Sequence, residues 1–306
     1  MSASLPEDWM SPRRVLEEVA SAIPEASRRN VVVIGSLAAG YQLLPDRPTM
    51  GLRTKDVDCM LSPRVEAVAA GRAWTEELFR AGWKFRPDAT WAAPGDATTP
   101  DHALPAVRMN PPSGHAWFVE LLTVPESPSD RARRWLRVET AYGHFGLPSF
   151  GFLSLTNYGP VDTPWGIRLA RVEMMALANL LEHPSVTDAR MSGAIGGRQL
   201  KRSNKDLGRV LALFHLSDDE ATGRWPALWQ EALESCFPDD ARAIGATVGS
   251  GIRAMLASPD DVLEAQHSCE YGLLASRPLT TDQLRAVGRR LLADVIGPMD
   301  KWGSAT

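Results

Sequence analysis

The apolar positions change their period along the chain, and the change divides it in two. In residues 11–28, Ser11-Pro12 offers an N-cap followed by proline at the first helical position, and Val15, Leu16, Val19 and Ile23 recur three and four residues apart. That spacing places them on one face of an amphipathic helix. Residues 30–34, Asn-Val-Val-Val-Ile, are a β-branched run without polar alternation, which predicts a buried strand. Gly35-Ser36 stops the run, and residues 37–44 predict a short helix. A turn-rich segment over 45–54 leads to residues 56–61, Asp-Val-Asp-Cys-Met-Leu, a second strand closed by Ser62-Pro63. Residues 65–82 predict a helix ending on a glycine suited to a C-cap. A short strand follows at 83–87, then a loop at 88–101 rich in Ala, Pro, Thr and Asp. Two apolar runs, 103–109 and 116–122, flank Asn110-Pro111-Pro112-Ser113-Gly114 and predict a hairpin. Beyond Pro125 the pattern is irregular. Arg131, Arg133, Arg134 and Arg137 there read as a solvated basic face, with RNA contact as the alternative.

From Trp165 onward the period is helical, over residues 167–181, 200–214, 225–237, 240–257 and 280–296. Residues 159–164, with glycine and two prolines, read as a linker. The expected architecture is α+β: a mixed-sheet domain over residues 1–160 and an all-helical domain over 161–306.

Composition changes this picture little. Hydrophobic residues make up 44% and charged residues 23% of 306, and the net charge is −4. Those values fit a globular chain and give no global attraction to nucleic acid or membrane. The start of the chain lacks the apolar core of a signal peptide, and no run of about 20 apolar residues occurs, so no membrane partner is expected. Cys59, Cys236 and Cys269 are far apart without a Cys-x-x-Cys pair, which points to a reducing cytoplasm rather than a disulfide framework.

The candidate chemistry lies at two strand ends. Side chains at i and i+2 of a strand share a face, so Asp56 and Asp58 project together while Val57 enters the core. Paired carboxylates repel unless a cation joins them, and Mg²⁺ (or Mn²⁺) accepts one or two carboxylates plus substrate phosphates. Glu120, a charge inside the apolar run 116–122, is the third candidate metal ligand or the base, provided its strand lies beside that of Asp56 and Asp58. Gly35 and Ser36 follow a strand and open a helix, where backbone N–H groups meet phosphate. Arg53 and Lys55, just before Asp56, would neutralise a triphosphate.

Strand, Gly-Ser, helix, then Asp-x-Asp and a later acidic strand residue: this order resembles the DNA polymerase β-like nucleotidyltransferase superfamily. Within it the likeness is closest to AbiEii-type toxins, the nucleotidyltransferase halves of type IV toxin–antitoxin systems. Their aspartates stand in a segment resembling Arg-x-Ser-x-Asp-Leu-Asp, matched here by Arg53-Thr54-Lys55-Asp56-Val57-Asp58. Their helical part resembles residues 172–177 and Lys205-Asp206-Leu207, which makes Lys205 and Asp206 nucleotide-binding candidates. The family's helix lysine falls on Met174, with Lys201 and Arg171 as candidate substitutes. The resemblance spans residues 30–125 and, more thinly, 165–215. It implies the superfamily's catalytic domain over residues 1–160, and transfer of a nucleotidyl group from an NTP such as ATP to an RNA or protein acceptor, with release of pyrophosphate. It also implies a cognate antitoxin as partner. Met174 motivates a first alternative, a non-catalytic nucleotide-binding module on the same fold. An antibiotic-modifying nucleotidyltransferase, which shares the N-terminal motifs, is the second.

Overall fold

The computed structural model describes residues 9–45, 51–88, 90–191 and 193–305. It has two compact units. One comprises Met10–Ala38 and Thr54–Ala170; the other comprises the described residues of Met1–Trp9, Ala39–Arg53 and Arg171–Thr306.

The first unit carries the sheet. Helix α1 (Pro12–Ser21) starts where the Ser11 hydroxyl accepts a hydrogen bond from the Arg14 N–H, and it buries Val15, Leu16 and Val19 as their spacing predicts. After the single turn of α2 (Glu25–Arg28) comes β1 (Val31–Ile34), whose four residues are all buried. Helix α3 (Gly35–Leu43) follows directly, then β2 (Asp56–Leu61), α4 (Arg64–Arg80) and β3 (Lys84–Phe85). The remaining elements are β4 (Arg108–Asn110), β5 (Phe118–Thr123), β6 (Arg134–Thr140), β7 (Gly143–Ser149), α5 (Leu153–Thr156), β8 (Val161–Asp162) and β9 (Arg168–Leu169).

Seven strands form one mixed sheet in the order β3-β4-β5-β2-β1-β9-β8. Strand β2 sits in its interior, antiparallel to β1 and parallel to β5. Helix α4 packs on this sheet with Trp74 fully buried. It approaches closely at Gly71, where an added Cβ would lie 3.2 Å from the methyls of Leu61 and Leu147. The hairpin expected around residues 110–114 is present, with β4 and β5 antiparallel.

Two segments differ from their sequence reading. Residues 125–150 contain a regular hairpin, β6 with β7. Arg134, Arg137 and Glu139 put charges at both odd and even positions of β6 and obscure its alternation, although Val138, Phe145 and Leu147 are fully buried. Its arginines are largely engaged: Arg134 pairs with Asp130 at 3.3 Å and Arg137 with Asp101 at 2.7 Å, while Arg133 lies over the Trp135 ring. The segment read as a linker holds β8 and the lead into β9, and β9 pairs in parallel with β1. Two-residue strands are too short to show a period.

The second unit contains α6 (Val172–Glu182), α7 (Arg202–Leu216), α8 (Asp219–Cys236), α9 (Ala241–Gly245), α10 (Ser250–Ala257), α11 (Pro259–Glu270), α12 (Thr281–Leu291) and α13 (Gly297–Ser304). Helix α11 escaped the sequence reading, although Ser258 caps it and Pro259 starts it. A capping box between Thr280 and Gln283 begins α12, and one π-helical turn, Leu292–Ile296, joins it to α13. Trp225 and Trp229 are core residues in contact with each other, and the Trp229 indole donates to the Glu173 carbonyl at 2.9 Å. Among the described residues, no helix is long and apolar enough to cross a membrane.

Candidate functional site

The period of β2 brings its two aspartates to one face. Val57 and Cys59 are buried, while Asp56 and Asp58 between and before them are half-buried. The Thr54 hydroxyl donates to Asp56 Oδ1 at 2.8 Å. Across the sheet, Asp58 stands opposite Ile34 of β1 on one side and Glu120 of β5 on the other. The adjacency required to bring Glu120 near the aspartate strand is therefore present.

Gly35 follows Ile34 and opens α3. Its φ of +78° is in the left-handed region. A Cβ there would sit 3.1 Å from Asp58 Oδ2. Any other residue would combine the cost of a left-handed backbone, about 1–2 kcal/mol, with pressure on the carboxylate. Glycine thus lets the start of α3, with Ser36 half-buried in its first turn, lie directly beside Asp58. The first N–H groups of a helix lack partners within it and favour anions.

Glu120 is held by an arginine that the sequence reading passed over. Arg108 of β4 donates through Nε to Oε2 at 3.0 Å and through Nη2 to Oε1 at 3.1 Å, a two-pronged grip on both oxygens. Its third nitrogen reaches Asp88 at 3.2 Å. Burial works against the charge on Arg108, but the hydrogen bonds and charge of Glu120, then the charges of Asp88 and Asp58, outweigh it and raise the guanidinium above its ordinary value. The signal was available: Arg108 is a lone charge in one arm of a predicted hairpin whose other arm carries a lone charge of opposite sign.

This grip shapes the donor set. Among the described residues, no group of three or more His, Cys, Asp or Glu is placed to hold a metal ion. The candidate ligands on this face are the pair Asp56 and Asp58. Two hard carboxylate donors fit a cation that takes its other ligands from phosphate and water, as Mg²⁺ does. At Cys59, next to Asp58, burial pushes the thiol well up and the Asp58 charge adds to the shift, which disfavours the thiolate form.

The other candidates are distributed differently. Lys55 is exposed, and its carbonyl accepts from the Phe118 N–H at 2.9 Å, extending the pairing of β2 with β5. Arg53 belongs to the helical unit, where its guanidinium lies over the rings of Tyr271 and Trp9. Lys205 and Asp206 are on α7 of that unit. Asp206 accepts from His183 Nε2 at 2.9 Å and lies 3.5 Å from Arg209. Burial alone would raise its carboxyl, but the His183 hydrogen bond and the Arg209 and Lys205 charges hold it well below the usual range. Met174 is fully buried in α6. Lys201 binds Asp261 at 2.9 Å, and Arg171 pairs with Glu173.

No family model matches the chain, and no curated protein or solved structure is detectably similar to it.

Proposed function

We propose that the sheet unit carries a metal-dependent nucleotidyltransferase site on a polymerase β-like fold. The observation behind this reading is the convergence of Asp56 and Asp58 on one face of β2 with a helix start at Gly35-Ser36, where a Cβ on residue 35 would press on Asp58 Oδ2. In this reading Asp56 and Asp58 hold Mg²⁺ or Mn²⁺. The metal supplies charge neutralisation for the phosphates of an NTP. The first N–H groups of α3 and the Ser36 hydroxyl cradle a phosphate oxygen. Lys55, exposed beside the pair, adds positive charge. An acceptor hydroxyl loses its proton to a nearby carboxylate, Glu120 being the candidate. Its oxygen then bonds to the α-phosphorus as pyrophosphate leaves. The acceptor is RNA or protein, and a cognate antitoxin is the expected partner.

The test is transfer of label from [α-³²P]NTPs with Mg²⁺ to total RNA and to protein, comparing the wild type with Asp58→Asn. Wild type should label an acceptor, and D58N should lose at least about 100-fold of the rate, because a metal ligand stabilises the transferring group by several kcal/mol. Equal rates for the two proteins, or no labelled acceptor with any NTP, would sink the reading. A second reading has its own support: Met174 is buried and Glu120 is neutralised by Arg108. It is a module on the same fold that binds a nucleotide without transferring it. Saturable NTP binding without labelled product identifies it.

A further inference from the structure

Three side chains stand in one row across three neighbouring strands. Asp58 of β2 is in register with Glu120 of β5, and Glu120 is in register with Arg108 of β4. Cross-strand partners share a face of the sheet, and neighbouring strands lie about 4.8 Å apart. The row therefore runs carboxylate, carboxylate, guanidinium along the aspartate face. Arg108 takes both Glu120 oxygens, through Nε at 3.0 Å and Nη2 at 3.1 Å. The grip is braced from behind. Arg108 Nη1 donates to Asp88 Oδ2 at 3.2 Å, and Asp88 Oδ1 accepts from the Thr90 and Trp91 N–H groups, each at 2.8 Å. The Glu120 side chain is only 14% exposed, so salt screens the pair weakly.

Two-metal phosphoryl chemistry makes a different demand on such a row. Two divalent ions about 3.5–4 Å apart repel each other and need carboxylates shared between them. On this face the third carboxylate for that purpose is Glu120. A metal reaches it only by displacing two charge-assisted hydrogen bonds. The displaced guanidinium cannot give up its proton, so it stays beside the incoming ion as a like charge. Glu120 is not disabled by its partner. A carboxylate offers about four lone-pair sites, and Arg108 uses two of them. The base role proposed for Glu120 is compatible with the grip.

We infer that Arg108 fills the cation position at Glu120, so that this site works with a single divalent ion, held by Asp56 and Asp58, instead of two. Arg108 is then a positioning residue. It fixes the Glu120 carboxylate and places a positive charge where a second ion would bind. The inference rests on the nucleotidyltransferase reading for the first ion and adds the count.

The test counts ions per bound nucleotide. Protein is dialysed to equilibrium against Mn²⁺ and a labelled NTP analogue whose α- and β-phosphates are joined by a methylene, which blocks transfer; each of the four bases is tried. Wild type should bind one Mn²⁺ per nucleotide. Arg108→Met should bind two, and its EPR spectrum should show a spin-coupled pair, as two ions about 3.5–4 Å apart require. Arg108→Met with Glu120→Gln should return to one, and Glu120→Gln alone should stay at one. Thermal melts check that each variant folds, and Arg108→Gln replaces Arg108→Met if the latter does not. An ion pair that served the fold alone would leave the count at one throughout, so one ion in a folded Arg108 variant overturns the inference. Two ions in the wild type overturn it as well, yet leave the nucleotidyltransferase reading standing. Wild type that binds no Mn²⁺ with any nucleotide removes the metal-dependent reading, and the inference with it.

Discussion

Asp58 shows how one residue acquires its role from three neighbours. Its strand sets its face, Gly35 brings a helix start against its carboxylate, and Glu120 stands in register beside it. Arg108 then decides how much negative charge the face presents. With both Glu120 oxygens bound to Arg108, the face presents its aspartates to a cation and not a third free carboxylate. Replacing Arg108 with methionine leaves Glu120 uncompensated next to Asp58. Mn²⁺ affinity, followed by EPR titration without nucleotide, is then expected to rise by at least about 10-fold, because one added negative charge about 10 Å from a divalent ion is worth about 3 kcal/mol at an effective dielectric of 20 before solvent screening reduces it. Adding Glu120→Gln to Arg108→Met should return the affinity to the wild-type level. Unchanged Mn²⁺ binding in the single variant would show that Glu120 and the metal face are not coupled. Much of this was legible in the residues: the aspartate pair, the glycine and Glu120 all stand out by type and spacing. The ion pair was legible only in part: the predicted hairpin joins the arms that carry Arg108 and Glu120, but the register that sets them opposite each other is not written in either arm.

At the scale of elements, α7 is tied to the end of α6 through Asp206 and His183. The Asp206 side chain is 13% exposed; it accepts a hydrogen bond from His183 and lies 3.5 Å from Arg209. Removing one partner of such a buried pair leaves the other without its match, so Asp206→Asn should destabilise the fold by about 3 kcal/mol at pH 7 in urea unfolding. The sign with pH follows from the depressed folded-state pKa. The stabilisation is present in full above the ordinary carboxyl value of 3.8 and is lost as pH falls below it toward the folded value. The deficit of the variant should therefore narrow below pH 3.8. A deficit that stays constant from pH 7 to pH 3 would mean that ionisation of Asp206 does not stabilise the fold. Lys205-Asp206 was visible as a motif, but its partner His183 is 23 residues away and no local pattern links them.

For the whole molecule, the cysteines report on the interior. Cys59 and Cys236 are buried, as is Cys269. Burial pushes the Cys269 thiol up to about 12, only partly offset by the Arg209 charge. Thiolate is the reactive form, so native protein at pH 8 should react with Ellman's reagent far more slowly than denatured protein, and all three thiols should appear together with urea-induced unfolding. Stoichiometric labelling of any one without denaturant would show local opening at that site.

The sequence by itself determined the local matters. Its periods set the strand at residues 56–61, the helix at Pro12 and the hairpin around Asn110. It also selected the chemistry-bearing pair, because strand alternation acts between neighbours in the chain. Tertiary structure alone decided what lies between distant segments: that β5 pairs in parallel with β2, and that two-residue strands at 161–169 complete the sheet. Such pairings are chosen by burial of whole faces and by charge matching across strands. Those are energies of contact between segments far apart in sequence, and the order of residues within any one segment does not encode them.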